Sequence, residues 1–113
     1  MINERDEWGR DPSVLRMRQV FSCMEAAQIE LLKQLGISQL DSRLGRAREI
    51  AKGFFERAWA LSVSRDMDIG EEETAVLYIH CLVWSLSKCG VKVSGEVLPD
   101  DERLSALANE VLQ

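Results

Sequence analysis

Residues 71–90 read EEETAVLYIHCLVWSLSKCG, and this stretch decides the fold. Glu71, Glu72 and Glu73 open it, and Lys88 and Gly90 close it. Acidic groups in a first turn, a basic group in a last turn and a glycine just beyond are the signature of a helix with both ends marked. Between them Ala75, Val76, Leu77, Tyr78, Ile79, Cys81, Leu82, Val83, Trp84 and Leu86 are apolar almost all round. Valine, isoleucine, tyrosine and tryptophan also favour strands. Length decides against a strand, because about 16 residues without a turn signal is ordinary for a helix and long for a strand. The reading is a helix over roughly Thr74 to Cys89. A helix apolar on every side has to be covered on most sides.

The flanking sequence supplies the cover. Upstream, Leu40, Leu44, Ala47, Ala51, Phe54, Ala58 and Leu61 follow helical spacing, widened by Ile50, Phe55, Trp59 and Val63. Ser38 with Asp41 three residues on predicts the start of this second helix, which should fray near Ser64 to Asp66. Gly45 and Gly53 inside it either mark close helix approach or are tolerated. Further upstream, Val14, Met17, Phe21, Met24, Ala27, Leu31 and Leu35 form the stripe of a first helix. Asp11 and Pro12 suit its beginning, and Gly36 its end. Downstream, residues 91–99 read as a loop. A last helix is expected from Pro99 or Asp100, with Leu104, Leu107, Ala108, Val111 and Leu112 as a narrow stripe. The fold class is therefore all-α, a four-helix bundle-like single domain over residues 11–113 with short connections, behind a flexible tail of residues 1–10.

Composition narrows the function classes. A chain of 113 residues is long enough for one self-sufficient core. The net charge of −5 argues against broad nucleic-acid binding, which needs a basic face to displace counterions. The charge is uneven, with residues 40–65 basic and residues 66–113 acidic. Cys23, Cys81 and Cys89 are odd in number and irregular in spacing, so no disulfide framework is implied. The charged N-terminus is not a signal peptide, and no apolar run is long enough to span a bilayer. A cytoplasmic, reduced setting is expected.

Motifs that carry chemistry are sparse. His80 is the one histidine, without the His-Glu-x-x-His, Glu-x-x-His or Cys-x-x-Cys spacing that metal sites use. Cys89 stands near a helix C-terminus, where the dipole disfavours a thiolate, and nucleophilic catalysis also needs a base in reach. The runs Glu71-Glu72-Glu73 and Asp100-Asp101-Glu102 sit where dipole compensation explains them. Arg43, Arg46, Arg48 and Lys52 are the one basic cluster, a candidate patch for an anionic partner, but they wrap around a helix rather than line it.

These readings point away from catalysis and from any cofactor or metal. The expectation is a helical interaction protein that homodimerises or docks on a protein partner. The third helix suggests the surface, because its apolar perimeter exceeds what three neighbours, one of them narrow, are expected to cover. Trp59, Tyr78, His80 and Trp84 are its candidate interface residues. The alternative is a ligand- or metal-binding bundle with a pocket lined by Met17, Met24, Phe54, Trp59 and Trp84, made polar by His80 or a cysteine. A weaker alternative is a nucleic-acid-binding adaptor using the basic start of the second helix.

Overall fold

A computed structural model describes residues 12–93 and 101–112, with side chains from residue 18 onward. The expected tail of residues 1–10 with Trp8, the cap at Asp11, the side chains of Val14 and Met17, and Pro99 lie outside the described residues. Among the described residues, four helices follow in order: α1 (Pro12–Leu35), α2 (Ser42–Ser64), α3 (Glu71–Lys88) and α4 (Glu102–Val111). No strand occurs among the described residues. The all-helical bundle expected from the sequence is what the chain forms, and α3 packs against each of the other three helices.

The ends follow local chemistry. At the end of α1, Gly36 takes φ +67°, its N–H donates to the Lys33 carbonyl at 3.2 Å, and Ile37 N–H donates to Leu32 at 3.0 Å. The end of α3 repeats this arrangement, with Gly90 at φ +91° and Val91 N–H donating to Leu86 at 3.0 Å. Both are Schellman ends, in which a residue free of a Cβ penalty turns left-handed and the orphan carbonyls find donors. At the end of α2, Asp66 fills the same role at φ +52°, with Met67 N–H donating to Ser62 at 3.0 Å.

Two starts differ from the sequence reading. The second helix begins at Ser42 rather than Ser38. Asp41 is the cap itself: its Oδ1 accepts from Arg43 N–H at 2.9 Å, while its carboxylate holds the Arg43 guanidinium at 2.8 Å. Ser38 instead organises the turn before it, its Oγ accepting from Leu40 N–H at 3.1 Å. Leu40 therefore leaves the apolar line and stands 94% exposed. The last helix begins at Glu102, later than Pro99 or Asp100, because Asp101 Oδ1 accepts from Leu104 N–H at 3.1 Å and caps it.

The core lies on two sides of α3. On one, Leu31 and Leu32 of α1 and Leu44, Ala47 and Ala51 of α2 enclose Ile79, Leu82, Val83 and Leu86. On the other, Ala58 of α2 with Leu104, Leu107 and Ala108 of α4, followed by Leu112, enclose Leu77. This corrects the expectation that α3 keeps a large uncovered perimeter. Ala47, Ala51 and Ala58 are fully buried, and such small residues let α2 lie close. The short α4 buries Leu104, Leu107 and Ala108, leaves Val111 half-buried, and is tied down by ion pairs from Arg65 to Glu110 and from Arg103 to Glu73. Of the apolar residues on α3 between Ala75 and Leu86, just Val76, Tyr78 and Trp84 remain half-buried. Buried hydroxyls are satisfied within their own helices: Ser85 Oγ donates to the Cys81 carbonyl at 2.7 Å, and Thr74 Oγ1 to Gly70 at 2.8 Å.

The uncovered surface is on α1 instead. At 100° per residue, Phe21, Met24, Gln28, Leu31, Leu32 and Leu35 share one face. From Gln28 onward that face meets the core, where Gln28, Leu31 and Leu32 are buried. From Arg18 to Ala27 no side chain is buried, and Phe21 is 59% exposed. Cys23 and Glu72 line one small recess, so the first turn of α3 stands level with Cys23. Residues 12–22 precede that level, about 16 Å of helix.

Candidate docking groove

A groove of about 670 Å³ opens between α1 and α2, with α3 beneath it. It forms because both helices pack on α3 and diverge from each other above it. Phe21 and Met24 line it from α1, Phe55 from α2 and Tyr78 from α3. The Phe55 and Tyr78 rings meet edge to face, centroids 5.8 Å apart at 89°. Glu25 on α1 and Arg48, Lys52 and Glu56 on α2 also line it, so the groove carries charge of both signs.

One part-buried polar link crosses its floor. Gln28 lies between Tyr78 and Arg48. With its amide turned so that Nε2 donates to the Tyr78 hydroxyl at 3.0 Å, its Oε1 accepts from the Arg48 guanidinium, the Arg48 Nε lying at 3.0 Å. Burial raises the Tyr78 phenol above its ordinary value, and the positive charge of Arg48 opposes this in part. At neutral pH the hydroxyl is therefore protonated. The link joins all three helices and leaves an apolar surface with a fixed polar point at its base.

The residues singled out from the sequence are not brought together on one surface. His80 is buried, 7% exposed, within the packed middle of α3. Tyr78 is in the groove. Trp84 lies toward the second core, edge to face with Phe54 at 4.8 Å, with the Lys88 ammonium over its ring at 5.2 Å. Trp59 is on the surface of α2, 38% exposed, one turn before exposed Val63. The basic cluster divides. Arg43 is bound to Asp41, Arg46 faces solvent, and Arg48 and Lys52 line the groove beside Glu25 and Glu56. Hence no single basic face forms from these four.

The pocket proposed from Met17, Met24, Phe54, Trp59 and Trp84 does not assemble either. Met24 lines the groove, Phe54 packs against both cores, Trp84 packs against the second, and Trp59 is exposed; the Met17 side chain is outside the described residues. Among the described residues, no three His, Cys, Asp or Glu side chains are placed to hold a metal ion. Burial lifts the Cys81 thiol to about 12. Among the described residues, no helix is long and apolar enough to cross a membrane.

Phe21 and Phe55 were read in the sequence as packing residues, and Gln28 was not singled out. The signal that separates them is length. The stripe of α1 runs over 24 residues, whereas α3, on which it packs, has 18. A longer helix running alongside a shorter one must overhang it unless both ends are offset. The chain matches no protein-family model, no curated protein and no solved structure.

Proposed function

We propose that this chain is a non-catalytic, cytoplasmic interaction protein that docks a polypeptide helix in the groove between α1 and α2. The observation that carries the reading is the open inner face of α1. The face that buries Leu31 and Leu32 continues upstream as half-buried Met24 and then Phe21, which is 59% exposed. Isolated helices shorter than about 12–15 residues are marginal in water. A projecting half-helix with an apolar stripe is therefore best explained by an occupant that completes its packing. The groove offers apolar anchors at its centre and charges of both signs around them, the arrangement of a protein interface.

A benzophenone amino acid at position 24 tests this in the cells that make the protein, with position 109 on the exposed side of α4 as control. The expected result is a crosslink from position 24, absent from position 109, whose mapped attachment lies on an amphipathic helical segment. No crosslink from position 24, or equal yields from both positions, would remove the docking reading. Ligand binding is a second reading, favoured by the groove volume and by the Gln28–Tyr78–Arg48 link. It predicts a small amphipathic molecule that raises the melting temperature and loses that effect in Tyr78→Ala.

A further inference from the structure

We propose that the occupant of the groove is the first half of α1 from a second copy of this chain, the two copies exchanging these segments about a twofold axis. The proposal rests on the docking reading above and names its partner.

The register of α1 carries the argument. Phe21, Gln28 and Leu35 recur every seven residues, and Met24 and Leu31 fall three after the first two. These are the a and d positions of a heptad, and the sequence extends them upstream with Val14 and Met17. Arg18 and Glu25, both exposed, occupy the same flanking position, seven residues apart and opposite in sign. On the other flank, half-buried Val20 and Ala27 carry no charge, and Ala27 packs against the chain's own core.

A twofold axis makes one patch meet itself, so the patch must be self-complementary. In an antiparallel pair, equivalent flanking positions of the two helices face each other. Stacking Phe21 on Met24 of the second copy sets Arg18 beside Glu25 of that copy, two residues out of level, or about 3 Å along the axis. The symmetry repeats this pair at the other end. One interface thus satisfies both charges of both copies and covers both open faces. A parallel in-register pair would instead set Arg18 and Glu25 against the uncharged flank of the second copy and leave both charges without an ionic partner. The sequence pattern therefore selects the antiparallel twofold arrangement, which is also the one that lets each overhang reach the other's groove.

Light scattering on the purified full-length protein across a concentration series reads the stoichiometry. The expected result is a dimer. Phe21→Glu should yield a folded monomer, since Phe21 is exposed in the single chain. Arg18→Glu and Glu25→Arg should each weaken the dimer by about tenfold or more, because each places two like-charge pairs in the interface. An equimolar mixture of those two variants should form a heterodimer at close to the original affinity, since opposite charges then meet at both ends. A structural defect in either variant would not be rescued this way. A monomer at every concentration, or a dimer indifferent to the charge swaps, or a mixture without rescue would overturn the proposal. A monomer in solution combined with a position-24 crosslink to a different protein would remove the second copy and leave docking standing. A monomer without any such crosslink would remove both.

Discussion

Replacing Gly45 and Gly53 by alanine should stabilise the protein. Both lie inside α2 on exposed positions, and a Cβ built at either meets nothing within 4 Å. Neither glycine therefore serves a close helix approach. Glycine in a helix interior costs about 0.5–1 kcal/mol relative to alanine, because the unfolded chain has more freedom to lose. No steric term opposes the gain here. The positions are eight residues apart, about 12 Å along the helix, far enough for their effects to add. The double variant should gain about 1–2 kcal/mol, and its melting temperature should rise by several degrees. Urea denaturation followed by circular dichroism measures this directly: the midpoint should rise with an unchanged slope, since the surface exposed on unfolding stays the same. A loss of stability in either single variant would refute the reasoning, because it would require a neighbour against a face that is open in this structure.

Other outcomes follow from the core and the caps. Leu82→Ala, at a fully buried position against α1 and α2, should cost about 2–5 kcal/mol in the same assay, whereas Leu40→Ala should stay within about 0.5 kcal/mol of the parent. Cys81, with its thiol pushed up to about 12 by burial, should resist iodoacetamide in native protein at neutral pH, and the half-buried Cys23 and Cys89 should alkylate first; mass spectrometry of the labelled protein checks the order. The bonds from Arg43 hold the Asp41 carboxyl down from 3.8 to about 2. A carboxyl held low in the folded state adds stability that is fully present above its unfolded value and is lost as pH falls toward 2. Asp41→Asn should therefore be less stable than the parent above pH 4, with the gap closing toward pH 2 in denaturation curves taken at each pH.

Much of the architecture was legible because local and global signals agree in these helices. The glutamates before Thr74 and the glycine after Cys89 bracket α3 from outside, so its limits needed no tertiary information. Gly36 fixed the end of α1 for the same reason. The start of α2 was misread because Ser38 and Asp41 are both good caps, and the choice between them depends on which has a side-chain partner. Arg43 supplies that partner to Asp41, while Ser38 is used up in its own turn. The coverage of α3 could not be read from periodicity. It depends on how close the helices come, which the alanines of α2 set through their contacts, and on α4 lying across Leu77. His80 and Tyr78 are two residues apart on one helix, yet one is enclosed and the other meets the groove. That division follows from the placement of α1 and α2, which one-dimensional spacing does not encode. The groove itself arises from the difference in length between α1 and α3, a comparison between elements rather than a motif within one.

The central claim is that α1 has a supported half and an unsupported half. Amide hydrogen exchange along α1 in dilute purified protein measures this most directly. The account predicts a step near Cys23, where the support of α3 ends, with slow exchange through Leu31 and Leu32 and fast exchange from Arg18 to Ser22. Uniform slow exchange from Arg18 to Leu35 in dilute protein would contradict it, because the first half of α1 would then be held by its own chain.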